Sequence, residues 1–159
     1  MRKTFAEQLL KLAKKNKDIY LITADLGYGM WDEFKKENKN RFFNIGAAEQ
    51  CGLDICIGLA LQNKIPIFYS IAPFLIYRPF ESIRTYIDYE NIPVKMISSG
   101  RDKDYLHDGI SHWGHDIKPH LDLLPNIKQY WPETKEEITK EYMQELLFNS
   151  KPCFLSLKR

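Results

Sequence analysis

The chain has 159 residues, 44% of them hydrophobic and 28% charged, with a formal net charge of +2. That suffices for one domain with a real core and excludes a disordered tail. The lysines gather in KLAKKNK and KKENKNR, not in a stripe interleaved with aromatics, which argues against a nucleic-acid partner.

In chain order, Thr4 opens a capping box with Glu7, and Phe5, Leu9, Leu12 and Ala13 make one helical stripe. Charges run through this N-terminal segment, so it does not read as a signal peptide. IYLITAD is a short strand, WDEFKKEN a polar helix candidate, and RFFNIG a second strand. NIGAAEQCGLDICIGLA reads as a buried helix carrying Glu49 near its start, followed by the strand KIPIFYSI. The longest apolar charge-free run, IPIFYSIAPFLIY, is too short for a bilayer span, so no membrane partner is expected. FESIRTYIDYE puts Phe80, Ile83 and Ile87 on one helical face, and VKMISS is a fourth strand. The polar loop GRDKDYLHDGISHWGHD precedes a short helix and the strand IKQYW. Thr134 and Glu137 form a second capping box before a helix striped by Ile138, Tyr142 and Leu146, and CFLSL is the last strand.

Six strands alternating with helices predict an α/β fold, a single α/β/α domain over 1–159 with a mostly parallel sheet. In such sheets ligands bind outside the carboxyl ends of the strands. Asp25, Glu49, the aromatics Phe74, Tyr77 and Phe80, and the loop from Arg101 to His112 each follow a strand end, so all should meet on one rim.

Each segment has a structural reading beside a functional one. Glu49 in a first helical turn suits the helix dipole, a matter of up to roughly 1 kcal/mol. Yet its helix holds Gly52, Gly58 and Ala60, a composition suited to close packing at a subunit interface, with Gly52 in the contact. Desolvation there favours a neutral carboxyl, the condition for a general acid or base near neutral pH. The aromatics suit either core or a cofactor pocket, and Pro79 restarts the helix and re-aims Tyr77 and Phe80. His107, His112 and His115 share their loop with Asp104, Asp108 and Asp116 in no familiar ligand spacing, so we expect no metal and a polar loop for a hydroxylated ligand. Cys51, Cys56 and Cys153 contain no CxxC pair, which suits reduced thiols in a cytoplasmic protein.

TADLG and RFFNIGAAEQCGLDICIGLALQNKIPIFYSIAPFLIYRPFESIR together resemble the pyrimidine-binding domain of the transketolase family, and DGISH resembles that family's G-x-[ST]-H loop. The similarity runs in order over nearly the whole chain, and KPCFLSLKR resembles the end of that domain. The resemblance implies the thiamine diphosphate-binding, pyrimidine-type fold. No GDG followed by asparagine, the family signature for magnesium and diphosphate, is present. It therefore implies thiamine diphosphate as cofactor, with Mg2+ held by a separate GDG-containing subunit, in a heterotetramer acting on a sugar or sugar phosphate.

Carried over residue by residue, Glu49 matches the glutamate that hydrogen-bonds N1′ of the aminopyrimidine and governs its proton. Phe74, Tyr77 and Phe80 fall where the family packs aromatics on the pyrimidine, with Tyr77 the expected stacking ring, and Asp25 falls on the cofactor side. Asp108 and His112 match residues that bind substrate hydroxyls. Arg101 lies where the deoxyxylulose phosphate synthase branch has a phosphate-binding arginine, and Gly100 stands where some transketolases carry a histidine.

The expectation is thus the pyrimidine-binding subunit of a two-subunit transketolase-like enzyme that transfers a two-carbon ketol unit between sugars. Alternatives are a subunit of a deoxyxylulose-phosphate-synthase-like or 2-oxo-acid decarboxylating enzyme, a non-catalytic remnant that only binds a partner, or a flavodoxin-like interaction module using Asp25. The last would want an acidic pair before Asp25 and a lysine late in the sheet, and neither arrangement is present.

Overall fold

The computed structural model describes residues 1–159. Helix α1 (Arg2–Lys15) turns Phe5, Ala6, Leu9 and Ala13 inward. It begins two residues before Thr4, so that threonine lies inside the helix and caps nothing, a correction to the first capping box. Then come β1 (Ile19–Thr23), α2 (Asp32–Glu37), β2 (Phe42–Asn44), α3 (Glu49–Leu61), β3 (Ile65–Ile71) and α4 (Ala72–Tyr77). Helix α5 (Phe80–Ser82) is one short turn after Pro79 and runs into a π-helical segment, Ile83–Tyr89, in place of the regular helix expected. The chain continues through β4 (Lys95–Ser99), 3-10 turns at Leu106–Asp108 and Ile110–His112, α6 (Ile117–Leu121) and β5 (Lys128–Tyr130). It ends with α7 (Lys140–Phe148) and β6 (Cys153–Leu157). The Thr134 and Glu137 capping box forms, but around a separate 3-10 turn, Lys135–Glu137, while Thr139 caps α7.

All six strands lie in one sheet of order β2-β1-β3-β4-β6-β5, every neighbouring pair parallel. Strands β4 and β6 are buried at every position, as central strands of a parallel sheet covered on both faces must be. Period-two alternation divides the core. Phe68, Met96 and Phe154 face a layer with Leu53 of α3, Leu75 of α4 and Leu121 of α6. Ile67, Tyr69, Ile97 and Leu155 face Phe5 and Leu9 of α1, Phe34 of α2 and Met143 of α7. Ser70 follows Phe68 by two, so it points toward α3, at the carboxyl end of β3.

The order also sets a switch point. From β1 the chain steps outward to β2 and then returns to the other side of β1 as β3, which opens a crevice at the carboxyl ends of β1 and β3.

Helix α3 packs on β3 through Gly52. A Cβ there would sit 2.6 Å from the Phe68 ring and 3.2 Å from Ile45. Gly52 thus serves close approach inside the chain, which corrects its expected place in a subunit contact. The other side of α3 stays open, with Cys51, Ile55 and Leu61 exposed and nothing within 4 Å of a Cβ built on Gly58. No helix is long and apolar enough to cross a membrane, and the three cysteines are free, Cys56 and Cys153 being buried.

Candidate functional site

Glu49 is the first residue of α3 and only 2% exposed. Strand β2 ends at Asn44, and the short link through Gly46 turns the chain inward, so the helix starts over the crevice with its carboxylate at the dipole's positive end. The two carboxylate oxygens have different partners. Oε1 accepts from the buried Ser70 hydroxyl at 3.1 Å, and Oε2 accepts from the Arg78 guanidinium at 2.5 Å. The buried carboxylate is thus neutralised by an ion pair whose arginine is half-exposed.

Arg78 follows Phe74 by four residues around α4, and its guanidinium carbon lies 3.9 Å from the Phe74 ring centroid. Neither Ser70 nor Arg78 was singled out from sequence. The signals that could have found them are the two-residue step from Phe68 and the four-residue step from Phe74.

The three aromatics part company. Phe74, half-buried, lies beside the Glu49 and Arg78 pair, and the ring of His112 meets it edge-on at 4.9 Å. Tyr77 turns to α6, its hydroxyl 3.2 Å from His120 Nδ1 and its ring edge-on to that imidazole at 5.1 Å. Burial, then Asp116, pushes its phenol well above the usual tyrosine range. Phe80 packs on the inner face with the Phe68 layer. Of the three, it is Phe74 that stacks on the guanidinium paired with Glu49.

Asp25, beyond the end of β1, adopts left-handed backbone with φ 51°. Its N–H donates to Asn44 Oδ1 at 3.0 Å, and its carboxylate accepts from Asn44 Nδ2 at 3.3 Å and from the Tyr28 hydroxyl. Those bonds, Tyr28's first, hold the exposed carboxyl below the usual range. They also tie β1 to β2 at the edge of the crevice.

The loop after β4 is closed by a bridge between Asp102 and Gly114, whose N–H donates to Asp102 at 2.7 Å. Gly100 has φ 85°, and a Cβ there would overlap the Tyr105 ring. Tyr105 fills the space beside this glycine and shares a 2.7 Å hydrogen bond with Ser99 Oγ. Asp108 is exposed in the first 3-10 turn, and His112 ends the second against Phe74.

Arg101 is placed elsewhere. It is 8% exposed, and its side chain donates to Glu133 at 2.7 Å, Pro132 O at 2.9 Å, Ser156 O at 2.8 Å and Ser156 Oγ at 3.2 Å. Four of its N–H groups are thus committed to fastening β6 and the segment after β5, and it presents no open fork to an anion. The His, Asp and Cys side chains form no group of three that could hold a metal ion.

The pyrimidine-binding domain model of transketolase matches residues 1–159. A Methanocaldococcus jannaschii protein, provisionally named transketolase C-terminal section, is 31% identical over 160 residues, covering 100% of this chain and 50% of that protein. The 1-deoxy-D-xylulose-5-phosphate synthase of Clostridium tetani is 30% identical over 138 residues, covering 86% of this chain and 22% of that enzyme. Among solved structures, a split gene transketolase described as an inactive beta4 tetramer has a TM-score of 0.84 at 26% identity, over 99% of this chain and 51% of that one. A transketolase from Pichia stipitis has a TM-score of 0.83 at 19% identity, over 25% of its chain, a likeness of fold. The chain thus spans about half the length of two of these proteins and a quarter or less of the other two. A match over all 159 residues, on a parallel sheet with a buried glutamate at its switch point, makes this chain a member of the transketolase pyrimidine-binding domain family.

Proposed function

We propose that this chain is the pyrimidine-binding subunit of a two-subunit, thiamine diphosphate-dependent transketolase-type enzyme that transfers a two-carbon ketol unit between sugars. The observation that carries the reading is the Glu49 carboxylate, buried at the switch point with one oxygen held by Ser70 and the other by Arg78, whose guanidinium lies over the Phe74 ring. These groups fit an aminopyrimidine ring: an oxygen able to meet N1′ and a flat apolar face to stack on. Thiamine diphosphate, when bound, supplies a carbon nucleophile that carries the two-carbon unit.

Ser70 fixes the rotamer of Glu49 by holding Oε1, so that Oε2, once Arg78 releases it, can meet a ring nitrogen and hold or release its proton. The N-terminus of α3 supports the carboxylate form once the proton has moved. Phe74 supplies the stacking face, and His112, held against its edge, brings the Asp108 and His112 loop to where sugar hydroxyls would lie. Asp25 and Asn44 shape the cofactor side of the crevice. Because Arg101 is spent inside the fold, we assign it no substrate phosphate.

The diphosphate and its Mg2+ would be held by a GDG-containing partner subunit, two copies of each chain forming a heterotetramer in the cytoplasm. The test is to combine this chain with such a partner and follow ketol transfer between sugars. Activity that needs both chains and thiamine diphosphate is expected. A complex that forms and binds the cofactor yet transfers no ketol unit to any sugar acceptor would overturn the reading.

A further inference from the structure

We infer that Arg78 is a built-in placeholder for the aminopyrimidine ring, an autoinhibitory contact that must swing out before the pocket can load. The inference rests on the reading of this pocket as a pyrimidine site and concerns its regulation.

The guanidinium does in the free chain what a protonated aminopyrimidine would do in the loaded one. It is planar, it is cationic, and it directs an N–H at Glu49 Oε2 from 2.5 Å. It also lies 3.9 Å over Phe74, the face available for stacking. One flat cation thus occupies both recognition elements at once. No ring can stack on that face of Phe74 and bond Oε2 while the guanidinium remains.

The exchange is chemically balanced. The Glu49 side chain is 1% exposed, and a buried carboxylate without a counter-charge is costly. A rigid pocket awaiting its ligand would bear that penalty in the free chain, and Arg78 removes it. The Arg78 side chain is 43% exposed, and Glu49 is its hydrogen-bonding partner, so rotation returns the guanidinium to water without opening the core. The incoming ring replaces both the N–H donor and the stacking partner. If the pair is closed in roughly nine molecules of ten, apparent affinity for the ring falls roughly tenfold, because only the open form binds.

The test uses the 159-residue chain and the free ring 4-amino-5-hydroxymethyl-2-methylpyrimidine, titrated by NMR. In the wild type, the Arg78 Nη1–H signal should be protected from exchange when free and lose protection as Phe74 and Glu49 signals shift with bound ring. Arg78→Ala should bind the ring roughly tenfold more tightly, and methylguanidinium should compete with the ring in that variant by refilling the vacated place. Arg78→Ser serves if the alanine variant fails to fold, and the wild-type exchange measurement needs no variant at all. Ring binding that shifts Phe74 and Glu49 but leaves Arg78 protected, or that is equal or weaker in the variants, would overturn the placeholder and leave the pyrimidine site standing. Failure of the ring to shift Phe74 or Glu49 in every protein would overturn the pyrimidine reading and the placeholder with it.

Discussion

The hydroxyl of Ser70 donates to Oε1 of Glu49 at 3.1 Å, a bond between two side chains that solvent does not reach. It makes the carboxylate asymmetric, one oxygen structural and the other free to exchange partners. If Oε2 manages the proton of a cofactor ring, Glu49→Gln in the assembled enzyme should lower ketol transfer about a hundredfold or more. Hydrogen–deuterium exchange at the thiazolium carbon should fall with it, since that step precedes any sugar. Equal exchange rates would reduce Glu49 to a helix-terminal acid.

The same pair predicts an inequality in stability. Arg78→Ala strands a buried carboxylate and should destabilise the free chain by about 1–3 kcal/mol. Glu49→Gln strands only a half-exposed arginine that water can solvate, and should cost less than about 1 kcal/mol. Urea titrations of the two variants against wild type give the order directly.

The glycines of α3 should separate cleanly. Gly52→Ala drives a methyl into the Phe68 ring and should destabilise by about 1–3 kcal/mol. Gly58→Ala meets open space and should stabilise the chain by up to about 1 kcal/mol through helix propensity. If the exposed Cys51, Ile55 and Gly58 face is a subunit contact, Gly58→Leu will weaken association in sedimentation while leaving the melting transition intact.

Arg101→Ala is expected to fail as a fold variant, not as a phosphate-binding one. It leaves the Pro132 and Ser156 carbonyls without their donors and should cost about 2–4 kcal/mol. A variant that melts like wild type but has lost affinity for phosphorylated sugars would return Arg101 to the substrate site.

Stability should fall on the alkaline side. Burial pushes the phenols of Tyr130 and Tyr142 up from 10.0, that of Tyr130 to about 12, and pushes the Cys56 and Cys153 thiols up from 9.0. The folded chain keeps protons that the unfolded chain releases, so their contribution is complete below pH 9 and declines as pH rises from there through the folded values. The Tyr142 hydroxyl is buried without a partner. Tyr142→Phe should therefore stabilise by about 0.5–1 kcal/mol at neutral pH and flatten part of the alkaline decline. Denaturant midpoints at pH 7 and pH 10.5 decide both points.

Local pattern in the sequence determined the six strands in order, the parallel α/β class and the arrival of Glu49 at a helix start beyond β2, because apolar periodicity and strand-to-helix alternation are written residue by residue. The same locality limited it at element edges. Thr4 has the right neighbours for a cap, yet the helix begins at Arg2, and the segment from Ile83 winds as π-helix where spacing alone suggests α.

Tertiary structure decided the rest, because it depends on which strands become neighbours and which way a side chain leaves a crowded turn. Glu49, Ser70 and Arg78 are 21 and 29 positions apart and meet only because β1, β2 and β3 order themselves around a switch point. Phe74 and Tyr77 are three apart on one short helix, yet one turns to Arg78 and the other to His120. Gly52 and Gly58 are equivalent in a linear reading, and only the position of Phe68 beneath the helix separates them. Arg101 follows a strand end like the other rim residues, but the carbonyls of β6 and Pro132 lie within reach and claim it. Its burial is a property of the packed sheet, and no spacing of residues records it.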